Sequence, residues 1–105
     1  MAKYTLNKKG LLNMKNTIYK PESTEYKKLD AFAKMLLAFD CFKDAAVEDT
    51  ANQFDEKFIY TTVIVEGPFG NRYELLNVRQ YETVINARTP HDIAAVVNEI
   101  IVGQY

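Results

Sequence analysis

A chain of 105 residues has the usual length of one domain, and 48% apolar with 26% charged residues is the composition of a globular protein. No stretch of about 18 or more apolar residues is present, so we expect no membrane span, and the first five residues lack the apolar core of a secretory signal. One cysteine excludes an intrachain disulfide, and one cysteine with one histidine excludes the usual zinc ligand sets. We therefore expect a single domain, residues 1–105, located in the cytoplasm (the host cell cytosol).

The net charge of −1 conceals an uneven distribution of charge along the chain. Residues 1–28 hold seven lysines against two glutamates, whereas residues 29–56 hold seven carboxylates against two lysines. A basic segment followed by an acidic one points to charged surfaces that could select charged partners.

Residues 1–20 are compatible with either a helix or a strand. Apolar residues recur there about every four positions, as in a helix, but Gly10 and three asparagines are poor helix formers. Residues 16–20 could instead form a short strand at the edge of a sheet. Either element should end before Pro21, because the residue preceding a proline is pushed out of the α region.

The clearest helical pattern begins at Ser23 or Thr24, whose hydroxyl can cap a helix. Apolar residues then recur at three- and four-residue spacing. They are Tyr26, Leu29, Phe32, Ala33, Leu36, Leu37 and Phe39. We expect one or two further helical turns over Ala45–Asn52, followed by a polar connection.

Residues 58–88 carry the strand signal around which the chain is organised. Phe58–Val65 is β-branched or aromatic on both faces, which is typical of a central, covered strand. The Gly-Pro and Gly-Asn pairs of residues 66–71 predict a hairpin turn, followed by strands at Arg72–Arg79 and Glu82–Arg88. A simple meander would place the second of these three strands in the centre, whereas an N-terminal strand beside the first would make the first one central.

The last helix is signalled at both ends. Thr89 is a capping residue, Pro90 suits the first helical position, and Asp92 completes a capping pair. Gly103 is placed to end the helix in the left-handed conformation. The predicted fold is therefore α+β, with an antiparallel sheet of three or four strands packed against two main helices.

No group of residues in the sequence predicts catalysis. His91 falls in the first turn of a helix with no sign of the cleft and orienting group that a general base needs. Cys41 lies between aromatic residues, which is typical of a buried, inert thiol. The turn at residues 67–70 matches neither a P-loop nor a dinucleotide fingerprint. We expect no enzyme activity, no cofactor and no metal.

The acidic segment is the strongest candidate for binding a partner. If residues 39–50 are helical, acidic residues four positions apart line one helical face, where like charges destabilise the helix unless a basic partner offsets them. An aromatic residue at the tip of the hairpin turn could serve as an anchor. The predicted partner-binding residues are Asp40, Asp44, Glu48, Asp49, Asp55, Glu56 and Phe69. The competing interpretation is a solvated face without a partner.

A different class of function, nucleic-acid or nucleotide binding, is the alternative. The lysines of residues 1–28 could contact phosphates, although this segment has no arginine. A sheet face could also combine arginines with tyrosines on which bases stack. The candidates for that surface are Arg72, Arg79, Arg88, Tyr60, Tyr73 and Tyr81. A homo-oligomer is compatible with either class.

In its size and in its lack of any catalytic motif, the whole chain resembles the small proteins that phages and mobile elements deploy against host defence. It resembles in particular the anti-CRISPR proteins that inhibit the type II-A nuclease Cas9. Several such inhibitors are acidic mimics of DNA, so the resemblance implies that the Asp40–Asp49 face contacts a basic groove of Cas9 or of its guide-RNA complex. The net charge of −1 departs from that of a strong DNA mimic.

Overall fold

The computed structural model describes residues 18–51 and 59–104. Its elements in chain order are α1 (Thr24–Leu36), β1 (Asp44–Ala51), β2 (Ile59–Glu66), β3 (Arg72–Glu74), α2 (Val78–Ile85) and α3 (Pro90–Gly103). The three strands form one antiparallel sheet in the order β1-β2-β3. The predicted α+β class is confirmed. Of the possible helix or strand within residues 1–20, residues 1–17 lie outside the described residues, and residues 18–20 form neither a helix nor a strand.

Strand β2 occupies the centre of the sheet, as its two apolar faces predicted. Val63 and Val65 on one face and Tyr60 and Thr62 on the other are all buried. The meander predicted over Phe58–Val65, Arg72–Arg79 and Glu82–Arg88 was wrong, because the strand on the free side of β2 is β1 and the sheet runs β1-β2-β3. In the described part of the chain, that strand comes from residues that follow α1, and each residue of β1 pairs with one of β2.

The helix predicted over Ala45–Asn52 is therefore wrong. Alanine and glutamate suit a helix locally, but pairing with the adjacent β2 satisfies the same backbone groups in a sheet. The alternation of the segment also fits a strand, because Ala45 is buried while its neighbour Asp44 is exposed.

The strand predicted over Glu82–Arg88 is also wrong, and most of that segment belongs to α2. Strand β3 ends at Glu74, well before the predicted Arg79, because a helix cap follows at once. The side chain of Asn77 accepts a hydrogen bond from the Gln80 backbone at 2.8 Å, and the Gln80 side chain accepts one from the Asn77 backbone at 3.0 Å. This reciprocal pair satisfies two donors that a helix start leaves open.

The two helices predicted from capping signals are confirmed, but α1 ends at Leu36, so Leu37 and Phe39 of the predicted apolar face lie beyond it and are exposed. Ser23 caps α1 by accepting a hydrogen bond from the Tyr26 backbone at 3.1 Å, and Thr89 forms the expected capping pair with Asp92 at α3. Gly103 does not adopt the left-handed conformation, since it is the last helical residue of α3. No helix in the described part of the chain is long and apolar enough to cross a membrane.

Helix α1 is the central element of the core. It packs against β1, β2 and both other helices, and its residues Leu29, Phe32 and Leu36 are completely buried. Burying each such side chain contributes about 1.5–3 kcal/mol. Lys28 on α1 also donates a hydrogen bond to the Ile85 carbonyl at 2.8 Å, which places a positive charge at the negative end of α2.

Candidate functional site

One face of the sheet collects most of the charged residues of its three strands. Residues paired directly across antiparallel strands share a face, and alternate residues along a strand return to it. The register pairs Asp44 with Glu66, and Glu66 in turn with Arg72. Glu48 lies four residues along β1 from Asp44, and Glu74 lies two residues along β3 from Arg72, so both belong to this face. We call these five residues the acidic sheet face.

Two side-chain contacts organise the acidic sheet face. Arg72 on β3 forms an ion pair with Glu48 on β1, which connects the two outer strands across β2. The Tyr60 hydroxyl donates a hydrogen bond to the carboxylate of Glu74. Four carboxyl groups therefore share the face with one guanidinium, and that guanidinium already pairs with a glutamate.

The Glu74 carboxylate is partly withdrawn from water. Burial raises the pKa of Glu74 above its ordinary value, and the Tyr60 hydrogen bond and the nearby Thr62 hydroxyl oppose this rise only in part. Thr62 itself is buried, and its hydroxyl lies near the Glu74 carboxylate without completing a hydrogen bond. Since a buried carboxylate is stabilised by added donors or cations, Glu74 is suited to receiving a positively charged group.

A cavity of about 350 Å³ opens on this face of the sheet. Its walls combine charged, hydroxyl and apolar groups. The residues that line it are Glu48, Thr50, Ala51, Ile64, Arg72, Tyr73 and Glu74. A cavity of this volume lies at the lower end of the range for small-ligand pockets.

Two exposed aromatic residues, Phe69 and Phe39, lie on segments that meet one end of the sheet. The Lys43 backbone donates to the Glu66 carbonyl at 2.8 Å, so the connection between α1 and β1 meets the sheet at the end where the β2–β3 turn begins. That turn presents Phe69, which is 94% exposed, and the connection presents the partly exposed Phe39. Gly70 closes the turn with φ of 86°, a conformation that favours glycine. We call this region the hairpin end.

The structure places the predicted site residues in different environments. Asp44 and Glu48 share a face, although through strand alternation rather than through the helical stripe that was predicted. Asp40 is exposed in the turn before β1, and Phe69 is exposed at the hairpin end. Asp49 points to the opposite face of the sheet. Asp55 and Glu56 lie outside the described residues.

Asp49 supports the fold in the structure. Its carboxylate accepts a hydrogen bond from the Thr61 hydroxyl at 2.6 Å, and the same hydroxyl oxygen accepts one from the Tyr19 backbone at 2.9 Å. These bonds attach the segment that precedes α1 to β2. Asp49 is therefore not part of the acidic sheet face, and sequence reasoning instead missed Glu66 and Glu74.

The arginines and tyrosines of the alternative surface do not assemble into an open stacking platform. Tyr60 and Tyr81 are buried and pack edge-to-face, with ring centroids 6.3 Å apart. Arg72 and Arg79 lie on different elements, and each forms an ion pair with a glutamate. A platform for bases needs exposed rings and available guanidinium groups on one face.

Residues suited to acid–base or metal chemistry stay apart in the described part of the chain. His91 is exposed on the first turn of α3, and Cys41 is half-buried in the connection between α1 and β1. Within residues 18–51 and 59–104, no group of three or more histidine, cysteine or acidic side chains is arranged to hold a metal ion.

Comparison with known proteins assigns no family to this chain. No family model matches the sequence, and no curated protein or solved structure matches it either. The acidic sheet face and the hairpin end are therefore the features from which a function can be inferred.

Proposed function

We propose that this protein is a non-enzymatic, protein-binding inhibitor that uses the acidic sheet face and Phe69 to occupy a basic groove on its partner. The observation that carries the proposal is the gathering of four carboxyl groups on one face of a three-stranded sheet. The sheet holds these groups in a fixed arrangement, so the partner does not have to order them on binding.

The spacing of the carboxylates suits an elongated groove. Asp44 and Glu48 are four residues apart on one strand, which corresponds to about 13 Å at about 3.3 Å per residue. Glu66 lies on the neighbouring strand, at about 5 Å from Asp44. Lysine and arginine side chains that line a nucleic-acid groove would meet complementary charge along this length, which accelerates association and disfavours wrong partners.

Phe69 supplies the apolar anchor that charge alone does not provide. Interfaces derive most of their binding energy from a few residues, often aromatic, that enter pockets of the partner. Phe69 is almost fully exposed at a tight turn, and the half-exposed Phe39 lies on the connection that meets the same end of the sheet. An aromatic side chain this exposed is free to become buried in a pocket of a partner.

Cas9, alone or with its guide RNA, is the proposed partner, because the chain resembles the anti-CRISPR proteins in size and style. The acidic sheet face is smaller and less charged than nucleic acid, which carries one charge per about 1.7 Å of duplex. The proposal is therefore local occupation of a basic groove and not mimicry of a whole duplex.

Three single variants test this proposal in a binding assay with purified Cas9 and its guide RNA. Asp44→Lys reverses a charge on the acidic sheet face, and Phe69→Ala removes the anchor. Glu82→Lys makes the same charge reversal on an exposed site of α2 and is the matched control. We expect the first two variants to weaken binding by about tenfold or more and the control to retain it.

Unchanged binding and unchanged inhibition of DNA cleavage in both Asp44→Lys and Phe69→Ala would refute the proposed surface. A parallel pull-down from cell lysate, with and without nuclease treatment, addresses the alternative function. Recovered material that is lost on nuclease treatment would favour nucleic-acid binding through the lysines of residues 1–28. Recovery of Cas9 that survives nuclease treatment would favour the proposed inhibitor function.

A further inference from the structure

We infer that the cavity on the acidic sheet face receives a guanidinium group, the end of an arginine side chain that the partner inserts. This inference rests on the proposed function, because it names the group of the partner that the acidic sheet face recognises. It is carried by the cavity itself, by the unequal charges of its walls and by a buried hydroxyl beside it.

The charges of the cavity walls leave one negative charge without a partner. Glu48 and Glu74 contribute two carboxylates, while Arg72 contributes one guanidinium and pairs with Glu48. The Glu74 carboxylate receives a hydrogen bond from the neutral Tyr60 hydroxyl. A single cation in the cavity would therefore balance the charge of Glu74.

Thr62, which lies near the Glu74 carboxylate without lining the cavity, is a second sign that the site is incomplete. Its hydroxyl is fully buried on the same face of β2 and has no hydrogen-bond partner at accepted geometry. Leaving a buried polar group without a partner is unfavourable. If Glu74 turns toward Thr62 when a cation binds, the hydroxyl can donate to one carboxylate oxygen and leave the other for the ligand.

The walls of the cavity favour guanidinium over ammonium. Ile64 lies on this face of β2 and provides apolar surface for an aliphatic stem. Guanidinium is planar, weakly hydrated and matched to carboxylates, whereas ammonium is compact and strongly hydrated. Arg72 shows that a guanidinium fits on this face, since its own side chain already reaches Glu48 across β2.

The test uses Nα-acetyl-arginine amide as the probe and Nα-acetyl-citrulline amide as a neutral control of the same shape. Both are titrated into the isolated protein and followed by the amide resonances of β1, β2 and β3. We expect the arginine probe to shift resonances around the cavity and the citrulline probe to leave them unchanged. Glu74→Gln should weaken binding of the arginine probe by at least about tenfold, because it removes a charge-assisted hydrogen bond.

Equal shifts with both probes, no shift with either, or an unchanged affinity in Glu74→Gln would each overturn the inference. Asp44→Lys should retain binding of the arginine probe, because Asp44 does not line the cavity. This separates the inference from the proposed function, since Asp44→Lys is expected to lose Cas9 and keep the probe. If Glu74→Gln loses the probe yet retains full affinity for Cas9, the assignment of the cavity to the partner's arginine is wrong.

Discussion

Replacing Tyr81 by phenylalanine tests how the short strand β3 and helix α2 together complete the edge of β2. Backbone groups of alternate residues in a strand point to the same neighbour. The Val63 carbonyl accepts from the Leu75 backbone on the β3 side, so the Thr61 carbonyl points the same way. Because β3 ends before the position opposite Thr61, no backbone donor of that strand reaches the Thr61 carbonyl. The Tyr81 hydroxyl donates a buried hydrogen bond to this carbonyl instead, at 2.7 Å.

We expect Tyr81→Phe to lower the free energy of unfolding, because it leaves the buried Thr61 carbonyl without its hydrogen-bond donor. The substitution retains the ring, its edge-to-face contact with Tyr60 and nearly all the buried volume, so a cavity contributes little. Removing one partner of a buried hydrogen bond costs about 1–3 kcal/mol. Since 1 kcal/mol changes Tm by about 4–8 °C in a domain near this size, we expect Tm to fall by at least about 4 °C.

Thermal and urea unfolding followed by circular dichroism measure this loss, and Tyr73→Phe is the matched control. Tyr73 is 39% exposed, so water can replace its hydroxyl contacts, and we expect its free energy of unfolding to change by less than about 0.5 kcal/mol. Equal stability of the two variants would refute the assignment of the Tyr81 hydroxyl to the edge of β2.

The difference in unfolding free energy between wild type and Tyr81→Phe should depend on pH. Burial raises the pKa of Tyr81 above the usual tyrosine range, so the folded protein favours the protonated hydroxyl. The stability that this hydroxyl contributes is therefore present below the unfolded pKa of about 10 and is lost as pH rises beyond it. The difference in unfolding free energy between wild type and Tyr81→Phe should become smaller above about pH 10. A difference that stays constant through that range would contradict the reasoning.

Four further substitutions test the core, the exposed surface, the buried carboxylate and the turn. Phe32→Ala should cost about 3–5 kcal/mol of unfolding free energy in a urea titration, whereas Phe69→Ala should cost less than about 0.5 kcal/mol. Equal losses would contradict the burial of Phe32 and the exposure of Phe69. Burial raises the Glu74 pKa, so the folded protein favours the protonated carboxyl and the wild type loses stability as pH rises above the unfolded pKa of about 4.3. Glu74→Gln should therefore be more stable than wild type at pH 7 and equally stable below about pH 4. A lower stability of Glu74→Gln at pH 7 would contradict this reasoning. Gly70→Ala should cost about 1 kcal/mol at φ of 86°, measured by urea unfolding, and a neutral result would mean that the turn adjusts.

The residues that were predicted for partner binding show where sequence reasoning about a site is limited. The sequence identified Asp44 and Glu48 as members of one surface, but it assigned that surface to a helix. It could not find Glu66 and Glu74, because these residues join the surface only through pairing between strands. Glu66 and Glu74, on either side of the predicted turn, were the available signal, but whether they share a face depends on the register of the hairpin.

The sequence by itself determined the elements whose signals are local. Helices α1 and α3 follow from a capping residue and from apolar residues at helical spacing, and β2 follows from its run of β-branched and aromatic residues. Each of these signals lies within the element that it defines, so no distant contact was needed to interpret it.

Only the tertiary structure decided the identity of β1 and α2. Residues 44–51 have a composition that a helix would accept, but β2 offers its backbone groups to an eight-residue partner, and the sheet satisfies more of them than two isolated helical turns would. Residues 78–85 contain tyrosine, threonine, valine and isoleucine, which favour a strand locally, yet the Asn77–Gln80 cap and burial of Tyr81 against β2 favour a helix. In both segments the local preference is weak, at most about 1 kcal/mol per residue, and contacts with distant residues outweigh it.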